Sequence, residues 1–146
     1  MLSGFWKMLG YRSETKYVEM PSKYYYLSLI YENYTWTIHG LWPQYADGSY
    51  PSYCKKVVFD LKDLQPIIDK LNIEWCSDKG SAEHFWKHEW EKHGSCMYNT
   101  SMTEFQYFNK ALELFELMKN KDIIEKYRNG NKSMIPFDLN FNLLSE

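Results

Sequence analysis

Apolar and aromatic residues crowd into two short runs near the start of the chain. Residues 23–31 read KYYYLSLIY, dense in aromatic and β-branched side chains over a length suited to a strand, and residues 35–39 (TWTIH) repeat that character after the short ENY connection. Two neighbouring strands are the simplest reading, with Pro21 and Ser22 marking where they begin and residues 1–22 loosely specified. Gly40 and Pro43 are expected to stop the second strand, and residues 44–51 (QYADGSYP) to form a loop whose Asp47-Gly48 pair signals a turn. The period then changes. Between residues 60 and 71, Leu61, Leu64, Ile67, Ile68 and Leu71 recur at helical spacing behind Asp60, which is placed to cap, although Pro66 interrupts the middle. A second helix is predicted over residues 82–92. A third spans residues 103–118, where Phe105, Phe108, Leu112, Phe115 and Met118 line one stripe behind a capping box of Ser101 and Glu104. Gly130 and Pro136 punctuate a short tail. These elements predict an α+β fold, an antiparallel sheet with helices packed against it. No repeat, low-complexity tract or linker interrupts the chain, which predicts one domain over residues 1–146.

With 146 residues, 45% hydrophobic and 25% charged, the chain can bury one core and is too short for two. That excludes a disordered tail or a fibrous protein. No apolar run approaches the ~18 residues of a membrane helix. The 13 Tyr, 8 Phe and 6 Trp are far more aromatic side chains than usual. A net charge of −2 disfavours a protein that grips long nucleic acid electrostatically, because such binding needs a lysine and arginine surplus to displace counterions. Brief contact with a short stretch stays open. Three cysteines, Cys54, Cys76 and Cys96, allow at most one internal disulfide and leave one thiol. At the amino terminus Lys7 and Arg12 interrupt the apolar residues before a signal core can form, so no secretory leader is read there.

The four histidines are unevenly placed: His84, His88 and His93 fall close together and His39 stands alone. On a helix turning about 100° per residue, His88, Glu89, Lys92 and His93 occupy an arc of about 140° with Phe85 near its middle, while Trp86 and Trp90 project to the neighbouring side. Ionisable groups beside anchoring indoles suggest the wall of a site. Taken alone, Glu89 and Lys92 read as a solvated surface pair. Zinc is a second alternative, since His84 and His88 are spaced i,i+4. Yet His88 and His93 are five apart, so the HExxH pattern is absent, and no CxxC pair accompanies them. His39 ends the second predicted strand, so its ring is expected at a strand-to-loop edge, where ligands are usually met.

Together, IHGLWP and FWKHEWEKHGSC resemble, in order and separation, the two active-site segments of the ribonuclease T2 family, and the resemblance extends from about Tyr24 to Pro136. It implies that His39, His88, Glu89, Lys92 and His93 are the catalytic positions. Trp42, Tyr50 and Phe85 would contact bases. Gln44 joins the substrate-binding set, although family members commonly carry an acidic or amide residue there, so base preference does not transfer directly. The resemblance further implies a Cys54–Cys96 disulfide and a free Cys76, whose usual partner lies in a loop here cut down to Glu32-Asn33-Tyr34. Ile30 stands where a glutamine of the second base site is expected. The family domain usually continues beyond the position of Glu146, so the resemblance implies a chain that is short at its carboxy terminus or incomplete.

The implied chemistry suits these residue types. RNA carries its own nucleophile in the 2′-hydroxyl, and imidazole, with an unperturbed pKa of about 6.5, can take or give a proton near neutral pH. The resemblance implies a metal-independent endoribonuclease that needs no cofactor, acts on single-stranded RNA with low base specificity and passes through a 2′,3′-cyclic phosphate. His93 would be the base, His39 the acid and His88 a phosphate contact, with Lys92 stabilising charge and Glu89 orienting these groups or giving a proton. Neither a membrane nor an obligate protein partner is implied, and a monomer is expected. Family members are mostly secreted, vacuolar or lysosomal, which leaves the compartment open for a chain without a visible leader. The rival reading is a catalytically weak or inactive RNA-binding or regulatory protein on the same fold.

Overall fold

The computed structural model describes residues 5–10, 15–77 and 80–144. Its main sheet has four antiparallel strands in the order β4-β3-β6-β5, formed by β3 (Lys23–Glu32), β4 (Thr35–Tyr45), β5 (Arg128–Asn129) and β6 (Lys132–Phe137). A separate hairpin pairs β1 (Phe5–Gly10) with β2 (Thr15–Met20). This corrects the loosely specified start expected from the sequence: the hairpin ends on Met20, which is fully buried against Tyr24 and Tyr26. Residues 1–4 and 11–14 of that segment lie outside the described residues.

Strand β3 is buried at every position from residue 24 to 29, because both faces of the sheet are covered there. Tyr25, Leu27 and Leu29 enter the main core, and Tyr24 and Tyr26 a smaller cluster on the other side. An unbroken apolar run is what such a two-sided strand requires. Its partner β4 does not end at His39 as expected but continues through Gly40 and Pro43 to Tyr45. Proline is tolerated because β4 is an edge strand. Aromatic side chains then cover its carbonyls: Trp75 Nε1 donates to His39 O, Tyr107 Oη to Leu41 O, and Tyr98 Oη to Gln44 O. The supposed tail is likewise a strand, with Gly130 (φ 64) turning β5 into β6 and Pro136 lying inside β6. Strand β5 pairs only with Lys132 and Ser133, so no strand neighbour needs the missing N–H of Pro136 on that side.

Residues Leu61–Ile67 form a 3-10 turn that passes into α1 (Ile68–Glu74), rather than one helix over residues 60–71. Pro66, lacking an N–H, interrupts the α-helical ladder at that junction. Asp60 caps as expected, its side chain accepting from the Lys62 N–H. Helix α2 (Ala82–Lys92) has the predicted bounds and is capped by Ser81. Helix α3 (Glu104–Asn120) starts later than expected, and its capping box is Thr103 with Gln106. Ser101 instead bonds Asn99, and Glu104 is buried, accepting from the Asp60 N–H. The buried stripe runs through Tyr107, Phe108, Ala111, Leu112, Leu114, Phe115 and Met118, leaving Phe105 only half-buried.

Trp86 and Trp90 anchor α2, their indole N–H groups donating to Trp75 O and Val58 O. Each indole hides about 150–250 Å², a gross gain of about 4–6 kcal/mol at about 25 cal/mol per Å². A Cys54–Cys96 disulfide, 42 residues apart in sequence, ties the loop after β4 to the end of α2. Cys76 is an exposed free thiol.

By loop length, that disulfide removes about 4 kcal/mol of unfolded-chain entropy. Replacing both cysteines by serine is expected to lower the unfolding free energy by about 2–4 kcal/mol in urea denaturation. An unchanged unfolding midpoint would contradict the expectation.

Candidate active site

The site forms where β4 meets α2. Register along β3 pairs Ser28 with Gly40 but Leu29 with Ile38, so His39 is the extra residue of a β-bulge. A bulge re-aims one side chain without ending the strand. His39 is thus held mid-strand rather than at a loop edge, and its carbonyl is fixed by Trp75. From α2, Phe85, His88, Glu89 and Lys92 face the same space, while Trp86 and Trp90 turn into the core. His93 follows as the helix cap.

Five rings form a row across the seam. Phe85 lies 5.8 Å from His39, His39 lies 5.0 Å from Trp42 edge-on, and Trp42 stacks on His93 at 5.0 Å with 25° between planes. Tyr50 stands 6.0 Å beyond His93, and Lys92 Nζ lies 5.7 Å from the Tyr50 ring. Trp42 therefore packs against both histidines. Its Nε1–H also donates to Glu89 Oε1 at 2.8 Å. Glu89 is only 2% exposed, which overturns its reading as half of a solvated surface pair.

Burial has opposite effects on two ionisable groups. Glu89 is pushed up from 4.5 to about 7 by desolvation, against the pull of the Trp42 hydrogen bond and the Lys92 charge. His93 is pushed down from 6.5 to about 3, first by desolvation and then by the positive fields of Lys92, His88 and His39. Its Nδ1 is buried without a hydrogen-bond partner. The imidazole is therefore neutral at ordinary pH.

Two cavities flank this row and share His39 and His88. The smaller, about 420 Å³, is lined by Trp42, Gln44, Tyr50, Glu89, Lys92 and His93. The larger, about 600 Å³, is lined by Phe85, His84, Cys76 and Ile30 among others. Every residue singled out from the sequence for catalysis or base contact thus lies in one trough, with His88 exposed at its centre and His84 beside it. Among the described residues, no three His, Cys, Asp or Glu side chains gather so as to hold a metal ion. No helix there is long and apolar enough to cross a membrane.

Sequence reasoning missed two supports. Trp75 holds the His39 carbonyl, and nothing in the spacing marks it. Gly40 resembles a strand stop in sequence, yet its role is space: a β-carbon there would collide with the Trp42 indole nitrogen and the Glu89 carboxylate. The glycine in IHGLWP is the signal that was available.

Residues 6–132 match the sequence profile of the Ribonuclease T2 family. The chain belongs to this family. Among curated family relatives, Ribonuclease DdI of Dictyostelium discoideum is 41% identical over 85 residues, covering 58% of this chain and 38% of the relative. Ribonuclease 1 of Arabidopsis thaliana is 42% identical over 81 residues, covering 53% of this chain and 35% of the relative. The chain thus spans little more than a third of the length of these relatives. Among solved structures, ribonuclease MC1 from the seeds of bitter gourd superposes with a TM-score of 0.60 at 27% identity, over 70% of this chain and 60% of that one. RNase NT in complex with 5′-AMP, 22% identical, shares the fold with a TM-score of 0.60 over 85% of this chain and 89% of that one.

Gly40→Ala is expected to break the Trp42–Glu89 bond and to lower stability by about 1–3 kcal/mol. Near-ultraviolet circular dichroism of the indoles, with urea denaturation, checks it; an unaltered spectrum and midpoint would refute it. Glu89 gives a pH test. Because its folded pKa of about 7 lies above 4.5, its contribution to stability is full below pH 4.5 and is lost as pH rises through 7. His93 acts oppositely, its contribution being lost as pH falls from 6.5 toward 3. Comparison of Glu89→Gln with wild type at each pH cancels the latter. The variant's relative stability is expected to rise between pH 4.5 and about pH 8, and a constant difference would count against it.

Proposed function

We propose that this chain is an endoribonuclease that cleaves single-stranded RNA by 2′-hydroxyl transphosphorylation, with loose base preference and without a metal. The observation that carries this reading is the packing of both His39 and His93 against the Trp42 ring, within one trough that also holds Lys92 and Glu89. The two imidazoles stand no further apart than two 5.0 Å ring-to-ring steps allow. That span suits a phosphodiester whose attacking and departing oxygens lie on opposite sides of phosphorus.

Neutral His93 takes the 2′-hydroxyl proton as the 2′-oxygen bonds to phosphorus. The bond from phosphorus to the 5′-oxygen breaks, and His39 in its protonated form gives that oxygen a proton. A 2′,3′-cyclic phosphate results, which water opens slowly with the two roles reversed. Charge building on the equatorial oxygens is met by Lys92, with exposed His88 as a further phosphate contact. Glu89, held near neutrality in pKa and fixed by Trp42, orients this group of side chains and can lend a proton. The nucleophile belongs to the substrate, so no metal-activated water is needed.

Bases unstacked from a single strand have rings to meet on both sides of the phosphate. Trp42, Tyr50 and Gln44 line the smaller cavity, and Phe85 with Ile30 lines the larger. Stacking of this kind is worth about 1–3 kcal/mol per base and makes little sequence demand. With Ile30 in place of an amide, the larger cavity reads its base by shape and apolar contact.

His39→Ala and His93→Ala are each expected to lower turnover of a fluorescent single-stranded RNA by about 10²–10⁴-fold or more, with far-ultraviolet circular dichroism unchanged. RNA with a 2′-deoxy residue at the cleaved position is expected to resist, the first product to carry a cyclic phosphate, and EDTA to have no effect. Substantial residual activity in either variant would sink the two roles. Binding without any cleavage would favour the RNA-binding reading.

A further inference from the structure

Tyr53 adopts a costly backbone conformation with its ring largely exposed. Its φ of 50° places it in the left-handed region, which side chains with a β-carbon adopt only at a cost. Its ring is 59% exposed, and among the described residues the phenol makes no hydrogen bond and the ring no aromatic or cation contact. Backbone strain of this kind is held in place by surrounding structure and concentrates at functional sites.

What holds it is the end of α2. The Tyr53 N–H donates to Lys92 O at 2.9 Å, and the Cys54 N–H donates to Ser95 Oγ, whose hydroxyl donates in turn to Glu91 O. The Cys54–Cys96 disulfide adds a covalent tie. These bonds satisfy carbonyls that a helix end leaves open, and they fix the loop to the turn that carries Lys92 and His93. Tyr50, three residues earlier, lines the smaller cavity. Tyr53 is therefore held, with its ring exposed, on the helix end that carries two residues of the trough.

Positive charge gathers on the same loop although the whole chain carries −2. Lys55 donates to Thr100 O, a neutral acceptor, Lys56 is exposed and makes no ion pair among the described residues, and Lys92 lies one hydrogen bond away. The nearby Glu91 is already paired with Lys87. An exposed ring with lysines at its side is the combination that follows a single strand, with bases on the ring and phosphates on the cations.

We propose that Tyr53, with Lys55 and Lys56, forms an additional subsite for single-stranded RNA, receiving the nucleotide beyond the one seated against Tyr50. This rests on the ribonuclease reading of the trough and extends it to the length of strand that is gripped. Tyr53 acts on binding of longer strands and not on the chemical step.

The test compares wild type, Tyr53→Asn and Tyr53→Trp on a dinucleotide and an octanucleotide. Asparagine accepts the left-handed conformation at lower cost, so Tyr53→Asn keeps the loop and unfolds thermally at or above the wild-type temperature. Its kcat/KM is expected to fall about tenfold on the octanucleotide and to stay unchanged on the dinucleotide, while Tyr53→Trp retains both. A parallel fluorescence-anisotropy titration with a 2′-deoxy octanucleotide needs no cleavage. There Tyr53→Asn is expected to weaken binding by about tenfold, and Lys56→Gln to flatten the salt dependence. Equal losses on both substrate lengths, or no loss of octanucleotide binding, would overturn the subsite. Failure of wild type to cleave any RNA would instead overturn the ribonuclease reading and leave the titration to decide Tyr53.

Discussion

The indole N–H of Trp42 and the carboxylate of Glu89 meet across the seam between β4 and α2, and much of the site depends on that 2.8 Å hydrogen bond. A carboxyl group taken out of water is costly unless it is bonded, and this one is 2% exposed. The bond requires β4 to approach the helix closely, which is why position 40 has no room for a β-carbon. Once Trp42 is fixed in this way, its two neighbours pack on a fixed ring, His39 steeply inclined to it and His93 stacked on it. A second relay, from Trp86 to the Trp75 carbonyl and from Trp75 to the His39 carbonyl, locks the bulge to the same helix. Apolar anchoring by Trp86 and Trp90 places α2, and the polar bonds at its edge set the site to within a hydrogen-bond length.

The same dry seam separates the proton chemistry of its members. Desolvation favours the neutral form of both an acid and a base, so Glu89 rises to about 7 while His93 falls to about 3. Neighbouring cations deepen the fall at His93. The result is a histidine that stays unprotonated beside a carboxyl that titrates near neutrality, a division of labour that neither residue type has in water. Half-buried Lys92 brings positive charge to the smaller cavity, and exposed His88 is shared by both. All of this lies within a stretch little longer than a third of the family relatives it matches.

Legibility varied with the kind of constraint. The face of α2 could be read because helical geometry alone puts residues 85, 88, 89 and 92 together, and tryptophans four apart announce the buried side. Strand β3 could be read because a run such as KYYYLSLIY has few other uses. Its partner β4 looks shorter in sequence than it is, since glycine and proline signal a stop only when no neighbouring element supplies a reason for them. Here the reasons are an edge position for Pro43 and a tight contact for Gly40, and both come from distant residues. The capping box was placed two residues early because Ser101 and Thr103 offer similar signals. Only the packing of Glu104 against the Asp60 N–H separates them.

By itself the sequence determined the α+β class, the shared face of α2 and, through the resemblance of its two motifs, the family, because local periodicity and motif spacing do not depend on what lies across the fold. The tertiary structure alone decided that His39 sits on a bulge within a continuing strand, that Trp42 packs against both histidines while holding Glu89, and that Tyr53 is tied to the end of α2 with its ring exposed. Each of these follows from contacts between segments far apart in the chain. Burial, which moves the two pKa values in opposite directions, is a property of those contacts and of no residue taken alone.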